Sequence, residues 1–96
     1  MGIRDLPENR RLINLVEECG ELAQAVAKYI RTQYFDTDVP PEEAKEHLIE
    51  EMADVSLCIE MVTTAADRVR IRAIRQRKKK RWEDRIEQET EIHGSV

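Results

Sequence analysis

The chain has 96 residues, of which 38% are charged and 4% aromatic, with only three glycines and three prolines; this blend favours helices over strands and disfavours disorder. A chain this short buries about 60–65% of its extended surface, so its core is thin and oligomerisation is expected. The net charge of −4 hides a polarity, since residues 68–85 hold ten Lys/Arg against Glu83 and Asp84, a net of +8, and the remainder carries −12. Such a division suits a protein that holds cations in one place and anions in another.

The first predicted element is an amphipathic helix from about Glu8 to Arg31. Pro7 stands where a first-turn proline is tolerated. Leu12, Leu15, Val16, Cys19, Leu22, Ala23, Val26 and Ile30 recur at the i, i+3, i+4, i+7 spacing of one helical face. A polar and aromatic connection over residues 32–39 ends in Pro40-Pro41. The second helix opens near Pro41 or Glu42, with Glu42, Glu43 and Glu46 where the macrodipole favours acids, and runs to about Ala65. Between Met52 and Val62 it is apolar on nearly all sides, which predicts a central, buried helix. After a break near Thr63–Asp67, with Asp67 as N-cap, a third helix runs from about Arg68 to Glu91, and the tail from His93 frays. The expected fold class is therefore all-α, a helical bundle of three or four helices per chain, forming a single domain over residues 1–96 and completed by oligomerisation.

Cys19 and Cys58 lie one in each apolar ladder without CxxC spacing, and read as reduced core thiols of a cytoplasmic protein. No apolar run reaches membrane-spanning length, so no membrane association is expected. His47 and His93 lack zinc-ligand spacing and read as surface residues.

Two acidic strings carry the chemistry. The first helix contains Glu17-Glu18-Cys19-Gly20-Glu21 and the second Glu51-Met52-Ala53-Asp54. Carboxylates three apart on a helix project from neighbouring turns, so Glu18/Glu21 and Glu51/Asp54 each form a two-carboxylate claw. If the two helices pack antiparallel, four acids converge, and oxygen-only ligation suits Mg²⁺, or Mn²⁺, better than zinc. Glu51 and Asp54 share a sector with Val55, Cys58, Val62 and Ala65, an apolar setting in which unpaired carboxylates are costly and a cation is the natural compensation. Glu17, Glu50 and Glu60 read equally well as solvated acids of a Glu-rich helix. Gly20, a costly residue in mid-helix, asks for the close approach of a facing helix or a ligand phosphate.

These strings, with Leu15-Val16 ahead of the first, Lys28-Tyr29-Ile30-Arg31 after it and Val55 after the second, resemble the MazG-like all-alpha nucleoside triphosphate pyrophosphohydrolases, whose hallmark is Glu-Glu-x-x-Glu, a spacer, then Glu-x-x-Asp. The resemblance is strongest over residues 12–62. It extends to the third helix through Lys78, Arg81 and Arg85 around Trp82, although the stretch from Glu21 to Glu51 is long for the family and the third helix unusually basic. It implies an enzyme that cleaves a (deoxy)nucleoside triphosphate to the monophosphate and pyrophosphate, in nucleotide-pool control, with phosphoribosyl-ATP pyrophosphatase as a related activity. By the same resemblance Glu18, Glu21, Glu51 and Asp54 are metal ligands. Glu17 stands behind them or orients or deprotonates the attacking water. Lys28, Arg31, Lys78, Arg81 and Arg85 are candidate substrate-binding residues, and a homodimer or homotetramer is expected. Any of Tyr29, Tyr34, Phe35 and Trp82 can stack on a base; Trp82 and Phe35 read equally well as packing residues. The competing reading is a helical module that binds a partner or, less in keeping with the −12 remainder, nucleic acid through residues 68–85.

Overall fold

The computed structural model describes the backbone of residues 2–94 and the side chains of residues 2–91. Its regular elements are a 3₁₀ turn, Ile3–Asp5, and the helices α1 (Glu8–Tyr34), α2 (Pro41–Val62) and α3 (Ala65–Gly94), with no strand among the described residues. The fold is all-α. By its internal packing the chain divides into two compact units, Met1–Val62 and Thr63–Val96.

In the first unit α1 and α2 form an antiparallel hairpin. The Pro7 carbonyl accepts from the Arg10 and Arg11 amides at 3.0 and 3.2 Å, so Pro7 is the N-cap, just outside the first turn, where its missing N–H costs nothing. Helix α1 passes the expected Arg31 to end at Tyr34, where Phe35 turns extended and its amide donates back to the Arg31 carbonyl at 2.8 Å. Helix α2 opens at Pro41, the favoured first-turn position, with the Pro40 carbonyl accepting from the Glu43 and Ala44 amides at 3.1 Å.

Two arginines tie down the far end of the hairpin. Arg11 donates from Nε to the Leu6 carbonyl at 3.0 Å and from Nη1 to the Met61 carbonyl. Arg4 Nη2 reaches the Glu60 carbonyl at 3.4 Å. Met61 lies in the last turn of α2, where carbonyls lack intrahelical partners and cations are favoured. These contacts fix the register of α1 against α2.

The apolar core of the hairpin is small: Ala25, Ala44 and Leu48 are the buried apolar residues. The two alanines let the backbones approach closely one or two turns from the hairpin bend. Contrary to the expectation of a buried central helix, Met52, Leu57 and Ile59 are 40–49% exposed. The same holds for the core thiols, since Cys19 is exposed and Cys58 half-buried. Within the first unit α1 covers a single stripe of α2, an all-round apolar helix.

In the second unit, α3 starts three residues earlier than the sequence suggests. Thr64, not Asp67, caps it: the Asp67 amide donates to Thr64 Oγ1 at 3.1 Å, and the Thr64 amide donates to Asp67 Oδ2 at 2.9 Å. This is a reciprocal capping box with Asp in the Glu/Gln place. These hydrogen bonds hold the Asp67 carboxyl below its ordinary range. Arg68 donates to the Thr63 carbonyl at 2.9 Å and closes the same turn. Along the helix Lys79–Glu83 and Lys80–Asp84 pair at i, i+4, at 3.8 and 3.3 Å, and Val69, Trp82 and Ile86 are 60–61% exposed. The expectations for His93 and the last two residues fall outside the described side chains and backbone. No helix among the described residues is long and apolar enough to cross a membrane.

Candidate functional site

The antiparallel register lays the acidic string of α1 against that of α2. Glu18, Glu51 and Asp54 bring one carboxylate oxygen each within 4.8 Å of one another. Glu51 is 7% exposed, Glu18 is half-buried and Asp54 is exposed. The cluster therefore grades from a buried floor to an open rim. Asp54 is more open than its sector in the sequence suggests.

Electrostatics express the crowding. Burial pushes the Glu51 carboxyl above its usual range, the charges of Glu21 and Asp54 push it further, and His47 opposes them. Burial raises Glu18 likewise, followed by the charges of Glu21, Asp54 and Glu51. Glu21, although exposed and outside the group of three, is the leading charge on both carboxyls and hydrogen-bonds with each of them, which raises them further. Burial also raises the Cys58 thiol, with Glu18, Asp54 and Cys19 adding to it. Glu17 is exposed and lies outside the convergent group.

The donor set fits a hard divalent cation. The oxygens Glu18 Oε2 and Glu51 Oε2 are buried and without a hydrogen-bond partner, an arrangement that ordinary packing avoids. Carboxylates this close resist simultaneous ionisation, and a cation satisfies both the charge and the orphaned lone pairs. Oxygen-only donors from two facing helices suit Mg²⁺ or Mn²⁺.

His47 links the cluster to a cavity further along the hairpin. His47 Nε2 stands 3.7 Å from Glu51 Oε1 and Nδ1 stands 4.0 Å from Glu50 Oε2, and the same imidazole lines a cavity of about 320 Å³ at the bend of the hairpin. Lys28, Arg31 and Thr32 of α1 form one wall, and Glu43 and Ala44 of α2 form the other. Thr37 and Val39 of the connection close the end. Lys28 and Arg31, expected to bind substrate, thus line a cavity and stand about two and three turns along α1 from Glu21.

Residues 8–85 match the MazG nucleotide pyrophosphohydrolase domain. The chain belongs to the MazG nucleotide pyrophosphohydrolase family. No curated protein and no solved structure matches the chain. The MazG match takes in both acidic strings, the cavity, and Lys78, Arg81 and Arg85 of α3. In the second unit Lys78 shares a groove with Arg72, Arg75 and Trp82, and Arg81 and Arg85 are exposed outside it.

The cavity was only half legible in the MazG-like sequence. His47 is exposed and Glu43 stands in the first turn of α2, as the sequence suggests, but that both also line a cavity was not evident. The signal for His47 was present in its i, i+4 spacing to Glu51. Glu43 and Thr37 carried none, because they meet only when the connection folds over the α2 start. Gly20 differs too: a Cβ there would meet nothing within 4 Å, so the facing helix does not require the glycine.

Proposed function

We propose that this MazG-family chain hydrolyses nucleoside triphosphates to the monophosphate and pyrophosphate with Mg²⁺, for which Mn²⁺ can substitute. The observation that carries the reading is the convergence of Glu18, Glu51 and Asp54 within 4.8 Å, with two buried carboxylate oxygens lacking any partner. Those three residues and Glu21 are the proposed ligands. When bound, the cation supplies Lewis-acid polarisation of the phosphoanhydride and neutralises its charge.

The chain's own groups have distinct tasks in this scheme. Glu18 and Glu51 form a half-desolvated floor whose charge is tolerated only against a cation, which favours metal-loaded substrate over free nucleotide. Glu17, one residue before Glu18 and in water, orients or deprotonates the nucleophile. Lys28 and Arg31 hold the substrate from the cavity side. Lys78, Arg81 and Arg85, which recur at i, i+3, i+7 on α3, are proposed on the family resemblance as further substrate-binding residues.

Assembly belongs to the same proposal. Leu12, Ile13, Val16, Val26 and Ile30 of α1 and Met52, Leu57 and Ile59 of α2 are 37–72% exposed, far more apolar surface than a two-helix unit leaves bare in water. A homodimer or homotetramer built helix on helix covers it.

The test is a product assay over a panel of ribo- and deoxynucleoside triphosphates and phosphoribosyl-ATP, with and without Mg²⁺. Monophosphate plus pyrophosphate is expected, not diphosphate plus phosphate. Glu51→Gln and Asp54→Asn should abolish turnover while the helical circular dichroism persists. Full activity in either variant refutes the assignment.

A further inference from the structure

We propose that the cavity at the bend of the α1–α2 hairpin is the nucleobase pocket and that it selects guanine. The inference rests on the triphosphate hydrolysis proposed above and adds which substrate the same site takes.

Position comes first. Along α1, Lys28 lies seven residues beyond Glu21, and along α2, Ala44 lies seven residues before Glu51. Seven residues are two turns, so the cavity begins about 10 Å along the hairpin from the acids. His47 borders both, 3.7 Å from Glu51 and in the cavity wall. A nucleotide whose phosphates meet the acids would direct its nucleoside end here. At about 320 Å³ the cavity is at the small end of ligand pockets, suited to a base and part of its sugar.

The chemistry of the walls favours a base over phosphate. Glu43 lines the cavity, and its carboxylate, turned inward, would repel a polyanion but accept from two adjacent N–H groups. The threonine hydroxyl protons are already committed. Thr37 Oγ1 donates to the Val39 carbonyl at 3.0 Å, and Thr32 Oγ1 donates to the Tyr29 carbonyl at 2.7 Å. Thr37 therefore offers the cavity lone pairs only. Opposite Glu43 stand Lys28 and Arg31, and among the described residues neither they nor Glu43 form an ion pair. Acceptors from α2 and the connection, with cationic donors from α1, complement guanine, which carries N1–H and N2–H₂ on one edge and O6 and N7 on the other. Adenine and cytosine set a single amino group beside an acceptor, and uracil and thymine flank one N–H with two carbonyls. None of these pairs two adjacent N–H donors with two adjacent acceptors on the other edge.

Inosine triphosphate isolates the contact, because hypoxanthine keeps N1–H, O6 and N7 and lacks only the 2-amino group. The wild-type enzyme should prefer GTP over ITP in kcat/KM by about 10- to 100-fold, the worth of one charge-assisted hydrogen bond. In Glu43→Gln the GTP:ITP ratio should fall to within about threefold of unity. Arg31→Ala should lower GTP and ITP together relative to UTP, since both carry O6 and N7. A wild-type GTP:ITP ratio near unity overturns the inference. So does an equal loss on every nucleotide in Arg31→Ala, which would assign that side chain to phosphate. If the wild type cleaves no nucleotide at all, the hydrolase reading fails instead; calorimetric titration with GMP and IMP then still tests the pocket, and equal affinities overturn it.

Discussion

Replacing Glu51 by Gln reads the acidic cluster through stability as well as through turnover. Glu51 is 7% exposed, its Oε2 has no partner, and its carboxylate lies within 4.8 Å of those of Glu18 and Asp54. Without metal the folded chain holds these charges against burial and mutual repulsion, and Gln keeps the shape while removing one charge. The metal-free variant should therefore melt higher than the metal-free wild type. Its pH dependence has a definite sign. Glu18 and Glu51 both lie above their ordinary value of 4.5 in the folded chain, so their contribution to stability is fully present below 4.5 and is lost as pH rises through the raised values. The metal-free wild type should lose melting temperature from about pH 4.5 towards neutrality, and Glu51→Gln should lose less. Magnesium reverses the order. At a concentration 100 times its Kd, a ligand that binds only the folded state adds about 2.7 kcal/mol, or roughly 10–20 °C in Tm for a domain of this size. The same Mg²⁺ should move the variant by only a few degrees, because one of its proposed ligands is gone. Thermal melts followed by circular dichroism in EDTA and in Mg²⁺, at acidic and neutral pH, measure all of this. A metal-free variant less stable than the wild type, or an undiminished Mg²⁺ shift, would refute the reasoning.

Lys78→Ala and Arg81→Ala should each lower kcat/KM for triphosphates by one to two orders of magnitude, as expected for losing about 1.5–3 kcal/mol of charge-assisted contact; unchanged hydrolysis with weakened, less salt-sensitive DNA or RNA binding would assign α3 to nucleic acid instead. Val16 is 72% exposed, so in a monomer Val16→Glu would be neutral to within about 0.5 kcal/mol. In the proposed oligomer it should dissociate the assembly, visible by sedimentation at micromolar concentration. Thr64→Ala removes the cap of α3 and should cost about 1 kcal/mol, with increased amide exchange over the first turn as its signature. Gly20→Ala meets open space in the chain and should stabilise α1 by about 0.5–1 kcal/mol. A loss of activity or assembly in that variant would show that a ligand or second copy approaches the glycine.

The helices and the acidic strings are legible along the chain because both are local. Helical periodicity placed α1 and α2 to within a few residues, and the i, i+3 spacing placed Glu18 with Glu21 and Glu51 with Asp54. The MazG motif order was legible for the same reason, being a pattern of neighbours along two helices. The cap of α3 was already less legible, since Thr64 and Asp67 both suit an N-terminus and only the backbone path decides which one leaves the helix. Tertiary structure decided everything that depends on how one helix meets another. The register set by Arg11 and Arg4 on the α2 end, with Ala25 and Ala44 allowing close approach, decides that Glu18 joins Glu51 and Asp54. It also decides that Glu51 is buried while Asp54 faces water. Burial of a carboxylate is a property of the opposing surface, which no spacing within α2 can state. The cavity is the extreme case: Thr37, Glu43 and His47 are separate signals along the chain and become one chemical environment only when the connection folds back beside Lys28 and Arg31.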